Sequence, residues 1–361
     1  MNKNMLLGLV ALLLSSACGQ QRATGGTDIV TPAPSFEWKL ITTWPKNLPA
    51  LGTAPEKLAD MVEEMSAGRL KISVYGAGEL VGAFEVFDAV SQGSAEMGHG
   101  AAYYWRGKLP IAAVFSTVPF GMNAQEMNGW LHYGGGIELW RELYAPFALR
   151  PMAGGNSGVQ MAGWFNKEIN SLDDIRGLKM RIPGLGGEVF QRAGGVAVAM
   201  PGGEIFTSLQ TGVIDATEWV GPYNDLAFGL HKVAKYYYYP GWHEPGTTLE
   251  TLVNVDAWNA LPSDLQAILE TASRAVNQDV LDEFTARNHA ALTTLVEEHG
   301  VELRRLPDDV LAEFARISRD VVAEAAKDNA LAGRIHASYS AFLEGVKAYH
   351  AISEQAYINA R

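Results

Sequence analysis

Four polar residues stand out because their neighbours in sequence are apolar. Gln160 precedes Met161 to Phe165, Arg181 lies between Met180 and Ile182 at the end of an expected strand, Glu218 and Trp219 follow Ala216 and Thr217, and Glu244 follows Gly241, Trp242 and His243. An arginine at a strand terminus suits a carboxylate, because its planar fork donates two parallel hydrogen bonds. Two glutamates in apolar strands are costly unless they are paired or bound to a cation. Each residue also has an ordinary reading: Arg181 as a structural ion pair, Glu218 and Glu244 as solvated strand ends. Their sequence positions alone do not bring them together in space.

Known catalytic patterns fail on inspection. Gly155 to Val159 approaches a nucleophile elbow but lacks the last glycine, and such clusters are common in turns. Gly184 to Gly187 follows an expected strand without the third glycine of a dinucleotide loop or the lysine of a phosphate loop. His243-Glu244-Pro245-Gly246 begins like a zinc-protease helix, but Pro245 and the missing second histidine exclude that geometry. The one cysteine, Cys18, rules out an intramolecular disulfide and any multi-cysteine metal site.

The elements that must position these residues read as α/β. Glu37 to Thr43 and Leu70 to Tyr75 are expected strands around a helix over Ala54 to Ser66, a β-α-β opening. Alternation continues through 81–90, 96–101, 160–166, 179–182, 197–200, 207–212 and 214–218, as expected of parallel-sheet units, whose ligands gather at the carboxyl ends of strands. After Pro262 the pattern turns helical, with one helix expected from Leu265 to about Ala275 and another from Asp308. Near the end Ile335, Tyr339, Phe342, Val346 and Tyr349 recur at spacings of 4, 3, 4 and 3, an apolar seam for the chain's own core or for a partner helix.

With 361 residues, of which 48% are hydrophobic and 19% charged, the chain can bury a sizeable core and suggests two domains. A net charge of −12 argues against nucleic acid as a partner, since phosphate backbones need a basic surface. Lys3 and the ten-residue apolar run Met5 to Leu14 read as a secretory leader, too short for a bilayer that takes about 20 helical residues. The small residues before Cys18 are similar to a bacterial lipobox, with Ser15 where leucine is usual. Residues 1–18 are thus expected to be a signal peptide ending at a lipidated Cys18, and 19–35 a flexible tether. The mature protein is expected outside the cytoplasmic membrane, in the periplasm, held by that lipid.

Further runs carry a resemblance. Gly78 to Val81, Phe84 to Val90 with Gly93 and Glu96 to Gly98, Leu178 to Pro183 and Gly212 to Ala216 resemble the extracytoplasmic solute-binding proteins of TRAP transporters, over nearly all of the chain after Phe36. Glu218 to Pro222, Tyr236 to Tyr239 and Gly241 to Pro245 look like the branch that binds 2-oxoacids and related monocarboxylates with a metal ion.

The resemblance implies a two-lobed α/β periplasmic-binding-protein fold with a hinge and long C-terminal helices. On that basis lobe I is expected over 36–123 and 218–258, lobe II over 124–217 and 259–310, and C-terminal helices, with a role in homodimerisation, over 311–361. Arg181 is implied to hold the substrate carboxylate. Gln160, Glu218, the backbone of Trp219 and Glu244 are implied to surround the cation, with Trp219 and Glu244 also touching substrate, and Asn156, Tyr103 and Tyr104 to be further pocket groups. Two glutamates, one ligand carboxylate and one guanidinium leave two net negative charges; sodium reduces these to one and calcium to none. Leftover charge is disfavoured, since unit charges about 4 Å apart interact by about 4 kcal/mol at an effective dielectric near 20. Oxygen ligands suit both ions, and both stay open.

The expected function is capture of a small 2-oxo or 2-hydroxy monocarboxylate, of the pyruvate or lactate type, and delivery to a TRAP permease, without covalent chemistry. Three rivals remain at this stage: a related protein for another organic anion, a secreted metal-dependent hydrolase or lyase with His243 as its base, and a sensor that reports occupancy to a membrane receptor.

Overall fold

The computed structural model describes residues Pro34 to Arg361. The expected leader, Cys18 and all but the last two residues of the tether lie outside the described residues. Eleven strands among those described form two sheets. They are β1 (Phe36–Thr42), β2 (Leu70–Tyr75), β3 (Met97–Gly100), β4 (Leu149–Asn156), β5 (Gly163–Phe165), β6 (Lys179–Arg181), β7 (Val196–Val198), β8 (Ala216–Thr217), β9 (Tyr236–Tyr239), β10 (Thr248–Asn254) and β11 (Glu302–Arg305). The first sheet has the order β2-β1-β3-β10-β4 and the second β11-β9-β5-β8-β6-β7.

The β-α-β opening forms as its pattern dictates. β1 runs parallel to β2, and the connecting helix Ala54–Met65 has Pro55 in its first turn and buries Leu58, Ala59 and Val62. The sheets are nevertheless mixed, which corrects the expectation of parallel pairing. β10 lies antiparallel between β3 and β4, and β5 is antiparallel to β8 and β9. The cause is the route of the chain, which leaves the first sheet after β4 and returns after β9.

The expected lobe boundaries need the same correction. β4, placed in lobe II by sequence, pairs in the first sheet, whereas β9, placed in lobe I, pairs in the second. Hydrogen bonding decides this, and the crossing points fall at 157–162 and 240–247 rather than at 123 and 217. Two antiparallel crossing segments hold each other there: Ser157 N–H donates to Thr247 O at 3.0 Å and Gln160 N–H to Glu244 O at 3.1 Å. Gly241 is required at this place, because a Cβ on it would collide with the Gln160 carbonyl.

A helix of 31 residues, Ser263–Thr293, greatly exceeds the expected 265–275. It buries Leu265, Leu269, Val276, Val280 and Phe284, and its Ser273 hydroxyl donates to Ala153 O of β4 at 2.8 Å. The chain then enters the second sheet as β11, and helix Asp308–Ala325 begins where expected. Both sheets belong to one compact unit, Ser35–Arg361.

The C-terminal seam divides. On helix Ala330–Ile352, Ile335 and Tyr339 are buried in the chain's own core, where the Tyr339 ring meets Trp130 edge-on at 5.2 Å and its hydroxyl accepts from Met122 N–H at 2.9 Å. Phe342 packs on Gly129 and Gly134. Only Tyr349, with Ile352, Tyr357 and Ile358 beyond it, remains exposed. The seam is therefore mostly intramolecular, because the helix folds back onto the first lobe's helices.

β10 is buried along all seven residues, including Glu250. Its carboxyl accepts from the Trp105 indole and from the Tyr144 hydroxyl, and among the described residues it makes no ion pair. Burial pushes its pKa from 4.5 to about 8. The folded state thus favours the protonated acid, and stability is lost as the pH rises from the unfolded value through about 8. Glu250→Gln is expected to flatten that decline; equal slopes of denaturation midpoint against pH in both proteins would refute it.

Candidate functional site

Arg181 ends β6, and Glu218 with Trp219 follows β8 in the same sheet, so both side chains emerge at the carboxyl edges of neighbouring parallel strands. Gln160 lies on one crossing segment; His243 and Glu244 lie on the other. Tyr103 and Tyr104 come from the short 3-10 turn Ala102–Trp105 after β3 of the first sheet. The structure brings all of these together, and all but Tyr104 are buried.

Arg181 is 1% exposed and anchored on most of its fork. Its Nε donates to Met200 O at 3.2 Å, and Nη1 donates to a Glu218 carboxylate oxygen and to Glu218 O at 3.4 Å. Nη2 has a longer contact, 3.4 Å to the Tyr104 hydroxyl, and the Trp219 ring centre lies 5.3 Å from the guanidinium. Burial disfavours the charge, but Glu218, and after it Tyr104 and Tyr103, together outweigh this and hold the pKa above its ordinary value.

Glu244 accepts from Gln160 Nε2 at 2.7 Å and from the Thr247 hydroxyl. Burial, and after it the charge of Glu218, pushes its pKa well above the usual carboxylate range. The Arg181 guanidinium pairs with Glu218, so ionised Glu244 beside it adds a negative charge without an ion-pair partner among the described residues. Gln160 Oε1 is shut off from solvent without a donor. A buried acceptor in that state costs free energy unless a cation or donor meets it.

One oxygen or nitrogen from each of Glu218, His243 and Glu244 lies within 4.8 Å of the others. This donor set, with the orphaned Gln160 oxygen, fits a metal ion. Oxygens dominate it, which favours a hard cation. In sequence His243 was legible as the candidate base of a rival hydrolase or lyase, in a turn set by Pro245 two residues on. It does sit in a turn, but at 1% exposure its Nε2 is 3.5 Å from Glu218 Oε2 and neither ring nitrogen has an aligned hydrogen bond.

The two tyrosines divide the work at the wall. Tyr104 offers its hydroxyl to Arg181, while Tyr103 packs edge-on against it with ring centres 4.7 Å apart. Burial and then Glu244 raise the Tyr103 pKa well above its usual value. Trp44 completes the wall 6.1 Å from Trp219 and 6.0 Å from Tyr104. Its Nε1 donates to His99 Nδ1 at 2.9 Å, and the other ring nitrogen of His99 is 3.0 Å from Gly154 O. Burial lowers the His99 pKa to about 4, so the neutral tautomer that fixes Trp44 persists. Sequence reasoning missed Trp44, His99 and Thr247, whose only signal was their place after or near strand ends.

Asn156 is buried at the end of β4 beside the crossing segments. Its amide donates to Gly246 O at 3.3 Å and Thr248 Oγ1 at 3.2 Å, while its Oδ1 accepts from Gly158 N–H at 2.9 Å. All its polar atoms join the crossing segments to each other. The indole of Trp219 likewise is held by Asn224, at 2.9 Å.

Residues 40–329 match the family model described as bacterial extracellular solute-binding protein, family 7. A monocarboxylate 2-oxoacid-binding periplasmic protein of Nostoc sp. is 43% identical over 336 residues, 93% of this chain and 92% of that protein. A TRAP periplasmic solute-binding protein of Pseudoalteromonas atlantica, solved with bound sodium and pyruvate, superimposes with a TM-score of 0.88 at 42% identity, covering 91% of this chain and 99% of that one. Another from Colwellia psychrerythraea, with bound calcium and pyruvate, gives 0.88 at 41% identity, over 91% and 100% of the two chains.

Proposed function

The chain belongs to the bacterial extracellular solute-binding protein family 7, and from that premise we propose that it captures a small 2-oxo monocarboxylate, of the pyruvate type, together with sodium or calcium. The observation that carries the reading is the buried convergence of Arg181, Glu218, Glu244 and the donorless Gln160 oxygen between the two sheets.

Arg181 receives the ligand carboxylate along its Nη2 edge, where the Tyr104 contact is weakest. Met200 O and Glu218 hold the rest of the fork in place, so little rotamer freedom is lost on binding. Gln160, Glu218, Glu244 and the Trp219 backbone hold the cation, whose charge offsets the surplus of the two glutamates. His243 stands 3.5 Å from Glu218, which Arg181 holds in place. Trp44, Tyr103, Tyr104 and Trp219 exclude water, and each charge-assisted contact gains from the lower local dielectric. The chain binds and releases its ligand without covalent chemistry and passes it to the membrane subunits of a TRAP permease.

The secretory leader places the protein in the periplasm, anchored through a lipid on Cys18. A homodimer forms through the exposed end of the C-terminal helices, where Tyr349, Ile352, Tyr357 and Ile358 lie. The mass of the mature N-terminus and the sedimentation of the chain test these two parts. Among the described residues no helix is long and apolar enough to cross a membrane.

A thermal-shift screen of the chain from Phe36 tests the main reading, with pyruvate, longer 2-oxoacids, lactate, dicarboxylates and sugar acids, each with and without chelator, in sodium and sodium-free buffer. A ligand at 100 times its dissociation constant adds about 2.7 kcal/mol of stability, so small monocarboxylates are expected to raise the midpoint clearly. A rise abolished by chelator assigns calcium, and one that requires sodium assigns sodium. No rise with any monocarboxylate sinks the ligand class, and turnover of a ligand during incubation revives a hydrolase or lyase.

A further inference from the structure

A cavity of about 150 Å³, with Ile137 and Met152 as well as charged side chains in its walls, lies outside this site. Its walls include His132, Arg141, Ala153 of β4, and Glu270, Ser273 and Arg274 of the long helix. On a chain of net charge −12, cations outnumber anions here: Arg141, Arg150 and Arg274 face Glu270 and the more distant Glu138.

The pairing is incomplete. A single oxygen, Glu270 Oε1, accepts from both Arg141 at 2.9 Å and Arg150 at 2.5 Å. Arg141 Nε, Arg150 Nε and His132 Nε2 are sealed from solvent without partners. Arg274, at the exposed rim, makes no ion pair among the described residues; its guanidinium lies 5.8 Å from the Tyr133 ring centre. Burial, and then Arg274 and Arg141, depress the His132 pKa against the pull of Glu138, as a positive local field requires. Buried donors without acceptors are costly and are normally met by an acceptor-rich group.

We propose that this cavity binds a small oxyanion, a carboxylate or inorganic phosphate, through Arg141, Arg274 and His132. The space exceeds the about 10–15 Å³ that one water needs. An anion there neutralises the surplus positive charge of Arg141, Arg150 and Arg274 over Glu270 and Glu138, whereas water does not. The inference is independent of the transport reading.

The test is calorimetric titration of inorganic phosphate and, separately, acetate into the wild-type chain and into Arg274→Gln, Glu270→Gln and Arg181→Gln. Saturable binding of at least one anion is expected, about tenfold weaker in Arg274→Gln, which removes one charged donor. Glu270→Gln removes the competing carboxylate and is expected to bind tighter. Arg181→Gln is expected to retain the binding event. Response to acetate alone, phosphate alone or both identifies the source of the oxyanion. No saturable binding of either anion to wild type, meaning that water alone fills the cavity, overturns the proposal. So does binding lost in Arg181→Gln and kept in Arg274→Gln, because the anion then belongs to the first site. Arg274 is exposed and unpaired in the fold, so its variant remains folded if Glu270→Gln does not.

Discussion

Arg181→Lys is expected to weaken monocarboxylate binding about ten- to a hundredfold, because the charge-assisted hydrogen bond on the Nη2 edge, worth about 1.5–3 kcal/mol, is lost with the fork. Lysine keeps the positive charge beside Glu218, so the thermal midpoint should fall only modestly. Arg181→Ala should behave differently. It strands Glu218, which is 1% exposed, without its guanidinium, and removing one partner of a buried ion pair costs about 3–5 kcal/mol. Calorimetry and melting of both variants separate the two effects. An unchanged dissociation constant in Arg181→Lys would remove Arg181 from the ligand site.

Glu244→Gln is expected to move the metal-free and metal-loaded proteins in opposite directions. Without a cation, Glu244 lies buried next to Glu218, and its raised pKa means that the wild-type protein loses stability as the pH climbs above its unfolded value of about 4.5. Glutamine keeps the contacts to Gln160 and Thr247 without the charge, so the metal-free variant should melt higher than wild type at pH 8. With cation added, wild type should gain stability and ligand affinity, and the variant should gain little of either. Equal ligand affinity of both proteins after chelation and metal add-back would refute the role given to Glu244.

Much of this arrangement was legible before any fold was known, and the reasons are local. The β-α-β opening follows from alternation in 70–75 and from Pro55 ahead of an apolar stripe, and both lie where periodicity places them. Helix Asp308–Ala325 likewise starts at its acidic first turn after a proline. Arg181, Glu218, Gln160 and Glu244 were conspicuous because a polar group in an apolar run needs a reason. The lobe boundaries were misplaced because β4 and β9 look like any other strand in sequence, while their sheet membership depends on hydrogen bonds to strands far away along the chain. The apolar seam near the C-terminus could not announce its partner, since Ile335 and Tyr339 satisfy an intramolecular and an intermolecular groove equally well.

Sequence by itself determined the residue chemistry: an arginine fork at a strand end, two glutamates without neighbouring cations, a leader pattern and an α/β order with helices at the end. Tertiary structure alone decided that these groups meet. It did so because two of the chain's crossings between its sheets run side by side, which sets Gln160 against Glu244 and turns both toward Glu218 and Arg181. Structure also decided that His243 belongs with them and that Asn156 ties into the crossing segments. Spacing along a chain fixes periodicity and local turns, but burial and charge proximity are properties of distance in space, and those distances exist only once the two sheets share their crossing segments.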